Sequence, residues 1–425
     1  MSSAALDRLC EEAASKAFES KSRLALLSAG ERIELLNEIS RALRAAEPAI
    51  LRSNALDLDA GSTLDTAMLD RLRLNPARVA SMADAVASIA RQPDPLGRVV
   101  DGRVLPNGIR LEKRRVPIGV ILVIYESRPN VTSDAAALCL KSGNAVLLKG
   151  GKEASHTNRA VAGIIDSVLA ARGLSGAVTF VDTSDRRSVE LLVKMRGKID
   201  LAIPRGGPGL IKAVVEAATI PVVKHDAGNC HVYIDRHTEG LDDAAERIVV
   251  NSKAQRPGVC NAAESLLIHA DAAPRLLPRV AKALEAQGVE LRCCERSLKV
   301  LRGHGLTKLR PATDEDWATE YLSLVLAVRI VDSLDEACAH IRRWGSQHTE
   351  AIVTSSLDAA QRFTAMVDSA SVMVNCSTRF ADGGEYQLGA EIGISTDKLH
   401  ARGPMGAEDL TTYQWVLTGN GQVRD

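Results

Sequence analysis

Charge of neither sign is in excess. Lys plus Arg and Asp plus Glu both total 53 among 425 residues, so the formal net charge is zero. No global field draws such a chain to nucleic acid or to an anionic membrane, and any anionic ligand has to be met by local charge. No apolar run approaches the roughly 20 residues needed to cross a bilayer. The longest, around Ile118–Tyr125 and Leu322–Ile330, read as buried strands. The N-terminus carries Asp7, Glu11 and Glu12 where a signal peptide needs an apolar stretch. Eight cysteines are scattered with no C-x-x-C pair among them, which argues against a zinc ribbon or finger. Cys293 and Cys294 are adjacent, which is no disulfide framework; the pattern suits reduced thiols, and a cytoplasmic location is expected. The two commonest nucleotide fingerprints, G-x-G-x-x-G after the first strand and the Walker A pattern, are also missing.

What is present starts with size. A chain of 425 residues with 46% hydrophobic content has material for two or three domains. Residues 1–92 are rich in Ala, Leu, Glu and Arg, with Leu24, Ile33, Leu36, Ile39 and Leu43 suiting one helical face. Near Arg98 the texture changes. Asn107-Gly108 is a strong hairpin signal, because both residues tolerate positive φ. The charged ribbon around it is not stable alone and should pack against something, such as another subunit.

From residue 117 strands and helices alternate. Expected strands are Gly119–Ile124, Ala145–Lys149, Val178–Val181, Ile199–Ile203 and Ile220–Val223, with helices over Val131–Lys141 and Ser155–Ala171. That alternation means a parallel sheet with right-handed crossovers. It resumes after Asp235 with strands at Ser265–Ile268, Leu322–Val331, Ala351–Thr354 and Val372–Val374, and a capping box at Ser333–Glu336 opens a helix that stops at Gly345. The tail from Phe380 is rich in turn formers and becomes β-like near Tyr413–Leu417.

Five segments are candidates for chemistry. Cys260 follows Pro257 and Gly258 in a polar stretch, so its thiol is expected on a loop that a small molecule can reach. Lys253 and Arg256 nearby in sequence would favour the nucleophilic thiolate, although most such cysteines are small buried hydrophobes. Leu147-Leu-Lys-Gly-Gly-Lys-Glu153 lies at the C-terminal end of a parallel strand, where nucleotides bind in open α/β sheets, and reads equally as a tight turn. Pro204-Arg-Gly-Gly-Pro-Gly209 is a glycine-rich helix entry that offers N–H groups to an anion or merely connects two elements. Asn130 offers an amide to an oxyanion or an ordinary helix cap. His225 and Asp226 form a weak acid–base pair candidate.

These pieces in this order resemble the aldehyde dehydrogenase superfamily, and within it the γ-glutamyl phosphate reductases. The carrying segments begin at Val116, Asn251 and Asn375, and together span most of the chain from about residue 98 onward. The resemblance implies an α/β fold with three parts: a Rossmann-like cofactor domain (1–103 and 130–235), an α/β catalytic domain (236–376) and a small β oligomerisation element (104–129 and 377–425). It places Cys260 as nucleophile, Lys149 at the adenosine ribose and Glu320 at the nicotinamide ribose. Many NAD-preferring relatives have a glutamate at the position of Lys152; a lysine there should attract a 2′-phosphate, so NADPH is the expected cofactor. Gly206 and Gly207 join the cofactor candidates, while Arg256, Ser377, Thr378 and Arg379 are candidates for the substrate's anionic groups.

The resemblance further implies reduction of L-glutamyl 5-phosphate to L-glutamate 5-semialdehyde and phosphate, a step of proline biosynthesis, through a Cys260 thioester with Asn130 as a second oxyanion donor. A homo-oligomer without an N-terminal kinase segment is expected, with contact to glutamate 5-kinase and no metal. Two departures stand out. Hydrolytic relatives carry a water-activating glutamate in the region occupied here by His225 and Asp226, and Cys376 replaces an expected small residue. The rivals are an oxidising aldehyde dehydrogenase on the same fold and a cysteine hydrolase or acyltransferase using Cys260, His225 and Asp226.

Overall fold

In a computed structural model, residues 2–62, 66–126, 128–224 and 227–424 are described. They form two compact units: Met1–Lys224 with Gln387–Gly393 and Lys398–Asp425, and His225–Tyr386 with Ile394–Asp397. The expectations for His225 and Asp226 lie outside the described residues.

The first unit opens as expected with helices, Ser3–Leu26, Ala29–Ala45, Glu47–Ala60, Thr66–Leu72 and Pro76–Arg91. Local chemistry sets their starts. Ser28 and Glu31 close a reciprocal capping box, and Asn75 caps a helix whose first residue is Pro76. A four-stranded parallel sheet follows, in the order Val178–Phe180, Ala145–Gly150, Val120–Tyr125, Leu201–Arg205. Every residue of its two central strands is buried, because helices cover both faces of a parallel sheet and leave no solvent face to require polar alternation. The strand expected over Ile220–Val223 is reduced to one bridge between Val222 and Ala202. Pro221 has no N–H to donate, so a regular ladder does not extend there.

The Asn107-Gly108 signal is realised. Val99–Val104 and Arg110–Pro117 pair antiparallel around a turn in which Gly108 takes φ +84°. Thr411–Thr418 adds a third antiparallel strand on Arg110–Pro117, joining the ribbon and the tail in one small sheet.

The second unit is built on a seven-stranded parallel sheet. Its order is Leu309–Pro311, Glu290–Cys293, Val325–Val331, Ala263–His269, Cys230–Ile234, Thr349–Val353, Ser371–Val374. Three of these strands, Cys230–Ile234, Glu290–Cys293 and Leu309–Pro311, are too short or too mixed in polarity to read from periodicity. Leu334–Trp344 starts at Ser333, whose hydroxyl accepts from Glu336 N–H. The returning arm of that box lands one residue early, with the Glu336 carboxylate accepting from Asp332 N–H at 2.8 Å.

Candidate active site

Cys260 lies in the turn between helix Asp242–Ala254 and strand Ala263–His269, partly exposed, as a loop thiol should be. The ends of that loop are clamped from inside. Lys253, in the last turn of the helix, and Glu264, the second residue of the strand, form a fully buried ion pair. Burial disfavours both charges, pushing the Lys253 ammonium down and Glu264 up to about 7, while each partner opposes the shift of the other. The second Glu264 oxygen accepts from Leu322 N–H at 3.2 Å and so holds a leucine at φ +51°, a left-handed conformation that costs a side-chain-bearing residue energy. One buried carboxylate therefore fixes the Cys260 loop and the segment carrying Glu320.

This corrects the role expected of Lys253. Its ammonium is committed to Glu264 in the interior. Arg379 is a cation electrostatically coupled to the Cys260 thiol, and its own ionisation is depressed by burial first and by Arg256 as well. Arg379 Nε donates to Gln255 Oε1 at 2.8 Å, and its terminal nitrogen donates to Asn261 Oδ1. Both acceptors flank the Cys260 turn, so the guanidinium braces that turn while supplying positive charge. Arg256 is exposed beside it. Ser377 and Thr378 are buried and serve as fasteners: Ser377 Oγ meets Ser252 Oγ at 3.0 Å, and Thr378 N–H donates to the same oxygen at 3.2 Å.

Behind Cys260 lie residues that sequence reasoning missed. A Cβ built on Gly228 would fall 2.0 Å from Cys260 O and 2.6 Å from its Cα, so only glycine lets the two backbones touch. Gly228 N–H donates to Glu320 Oε1 at 2.8 Å. Burial raises the Glu320 carboxyl, with Gly228 and Lys253 opposing. Cys230 Sγ donates to Cys260 O at 3.1 Å. Asn229 Nδ2 reaches Trp317 O at 2.9 Å and Trp344 O at 2.8 Å. Gly228 thus packs against the Cys260 loop, while the next residue, Asn229, ties the same segment to Trp317 and Trp344.

Deeper still is a histidine cluster. His231 Nδ1 lies 2.9 Å from Glu350 Oε2, both side chains fully buried. His340 packs edge-on against His231 and Trp317, and neither of its ring nitrogens has a partner among the described residues. Burial first, then the neighbouring His231, Arg329 and Arg343, push the His340 imidazolium down from 6.5 to about 2. The unfolded chain takes up a proton at His340 below about pH 6.5 and the folded chain does not. Stability present above that pH is therefore lost as pH falls. His340→Leu should flatten this acid limb; urea unfolding of both proteins at pH 7, 6 and 5 should show their difference shifting in the variant's favour.

The remaining expected residues belong to the first unit. Lys149 is the penultimate residue of strand Ala145–Gly150, buried, its Nζ donating to Gly150 O at 2.9 Å and its ionisation depressed mainly by desolvation. Lys152 opens the next turn, exposed and with no ion-pair partner among the described residues. Gly207 is the N-cap of helix Pro208–Ala217, but its N–H already donates to Glu126 Oε2 at 3.0 Å, and a Cβ on Gly206 would meet that carboxylate at 2.7 Å. Glu126 occupies the place of an incoming anion, which would have to displace it. Asn130 is the first residue of helix Asn130–Lys141 and donates to Asp134 Oδ2 at 2.9 Å instead of capping. Burial pushes Asp134 up to about 6 despite that bond.

Comparison with known proteins gives a consistent picture. The aldehyde dehydrogenase family matches residues 2–292. A γ-glutamyl phosphate reductase from Thermobifida fusca is 52% identical over 423 residues, 99% of each chain. One from Moorella thermoacetica is 50% identical over 412 residues, 96% of this chain and 97% of that one. The crystal structure of γ-glutamyl phosphate reductase from Thermotoga maritima superposes with a TM-score of 0.94 at 39% identity, covering 98% of this chain and 100% of the other. Among the described residues no helix is long and apolar enough to cross a membrane, and no group of three or more His, Cys, Asp or Glu could hold a metal ion.

Proposed function

This chain belongs to the aldehyde dehydrogenase family, in its γ-glutamyl phosphate reductase branch, and on that premise we propose that Cys260 is the nucleophile of an oxidoreductase that reduces L-glutamyl 5-phosphate in proline biosynthesis. The observation that carries the assignment of the nucleophile is a partly exposed thiol on a clamped loop, coupled to the half-buried guanidinium of Arg379.

The Cys260 thiolate attacks the γ-acyl carbon. The carbon–sulfur bond forms, the carbon–oxygen bond to phosphate breaks, and its electron pair leaves with phosphate, a good leaving group that needs no strong general acid. Arg256 and Arg379 face the anionic acyl phosphate; a guanidinium suits both phosphate and carboxylate oxygens. Ser377 and Thr378 act indirectly, by holding Arg379 in register. Asn130 is retained as a second oxyanion donor only if it exchanges its bond to Asp134 for one to substrate.

A nicotinamide dinucleotide, the family's cofactor, would supply hydride to the acyl carbon; the carbon–sulfur bond then breaks, its electron pair returns to Cys260 as thiolate, and the aldehyde leaves. Lys149, Lys152 and Glu320 would hold it, and an exposed Lys152 with no ion-pair partner among the described residues fits a 2′-phosphate, which favours NADPH. Gly206 and Gly207 join them if Glu126 yields. In the matching division of labour, 1–103 and 130–235 bind cofactor, 236–376 carry the chemistry, and 104–129 with 377–425 make a homo-oligomer. The exposed edge strand Thr411–Thr418, bearing Tyr413, Trp415 and Leu417, supports that last part. A cytoplasmic location and contact with glutamate 5-kinase complete the reading.

The test is the reverse reaction. Pyrroline-5-carboxylate, the cyclised form of glutamate 5-semialdehyde, should reduce NADP⁺ only when inorganic phosphate is added, and faster than it reduces NAD⁺. Reduction that proceeds equally without phosphate would identify an oxidising aldehyde dehydrogenase instead.

A further inference from the structure

Cys230 has no part in the scheme above, yet its sulfur lies against the main chain of the nucleophile. It is fully buried at the start of strand Cys230–Ile234, 3.1 Å from Cys260 O and 3.7 Å from His348 Nδ1. Burial raises its thiol well above the ordinary range, so it stays protonated and is a donor, not a second nucleophile.

The acceptor matters more than the donor. No peptide bond among the described residues is cis, so the C=O of Cys260 and the N–H of Asn261 belong to one plane and point in opposite directions. A carbonyl drawn toward Cys230 turns the Asn261 N–H the other way. Gly228 presses on the same carbonyl group, and Glu320 pins Gly228 in turn. On the far side the Asn261 side chain is held at both ends, its Nδ2 donating to Ala381 O at 2.9 Å and its Oδ1 accepting from Arg379. The peptide plane is thus fixed from three directions. Asn261 is a buried residue, and its backbone N–H makes no hydrogen bond among the described residues. Buried backbone donors are almost always paired, so a fixed, unspent N–H one residue after a nucleophile calls for an oxygen supplied by a ligand.

We propose that Cys230 is a positioning residue: its bond to Cys260 O aims the Asn261 backbone N–H at the oxyanion formed when Cys260 attacks an acyl group. The proposal rests on Cys260 being the nucleophile. Donors to a developing oxyanion are among the largest contributors to acyl transfer, and they act only if held in place beforehand.

Cys230→Ala removes the donor, Cys230→Val removes it without leaving a cavity, and Cys230→Ser restores a donor. Each is assayed for turnover and for alkylation of Cys260 by iodoacetamide, read by mass on the Cys260 peptide. Alkylation displaces iodide at a saturated carbon and forms no oxyanion. Cys230→Ala and Cys230→Val should lose about 10- to 100-fold in kcat with little change in KM, while alkylation rate and unfolding temperature stay near wild type, and Cys230→Ser should recover much of the loss. Unchanged turnover in the valine variant would overturn the proposal. So would a parallel fall in turnover and alkylation, which means Cys260 itself has moved, or a serine variant no better than alanine. A wild-type protein without turnover, or a Cys260→Ser variant that retains it, would instead sink the underlying reading.

Discussion

Cys260→Ser is expected to lower turnover by about 10³-fold or more while leaving binding of the proposed cofactor, NADPH, as it was. A thiol ionises far more readily than a serine hydroxyl and its thiolate is the stronger nucleophile. The substitution removes one sulfur and keeps the side-chain shape, so the contacts of Gly228, Cys230 and Asn261 with this turn, all made through backbone atoms or neighbouring side chains, survive. Two measurements decide the matter. Steady-state NADPH oxidation with acyl phosphate should vanish, and NADPH titration by fluorescence should not shift. Turnover that persists in the serine variant would exclude a thioester route.

The second large effect concerns stability. Lys253→Ala leaves the Glu264 carboxylate alone in the interior, and breaking a buried pair from one side costs about 3–5 kcal/mol. Much of that cost is the unpaired charge and not the lost attraction. A double variant, Lys253→Met with Glu264→Leu, should therefore recover most of it, since apolar replacement of a whole buried pair is often neutral. Urea unfolding at pH 7 reads both. Activity should not follow stability in the double variant. Without Glu264 the Leu322 N–H loses its acceptor and the left-handed turn its hold, so the segment carrying Glu320 loosens even when the fold is restored. A double variant with full activity would show that the clamp serves the fold alone.

Much of the architecture was legible in local pattern. The helical opening, the buried central strands Val120–Tyr125 and Ala145–Gly150, and the Asn107-Gly108 hairpin follow from periodicity, from continuous apolar runs and from tolerance of positive φ. Where local signals failed, a neighbour had overruled them. Pro221 cut short an apolar stretch that reads as a strand. Glu336 returned to Asp332 instead of Ser333. Asn130 found Asp134 on the next turn of its own helix before it could act as a cap.

The chain's order of residues determined the family and placed Cys260 on a loop, because Pro–Gly punctuation is a property of the backbone itself. Tertiary structure alone decided which cation serves that thiol and what holds it. Lys253 is seven residues from Cys260 yet spends its charge on Glu264, while Arg379, more than a hundred residues away, is coupled to the sulfur. Gly228, Cys230 and Glu320 meet behind the loop only because parallel strands bring their ends together. Charge and hydrogen bonding act through space over a few ångströms, and distance along a folded chain carries almost no information about that.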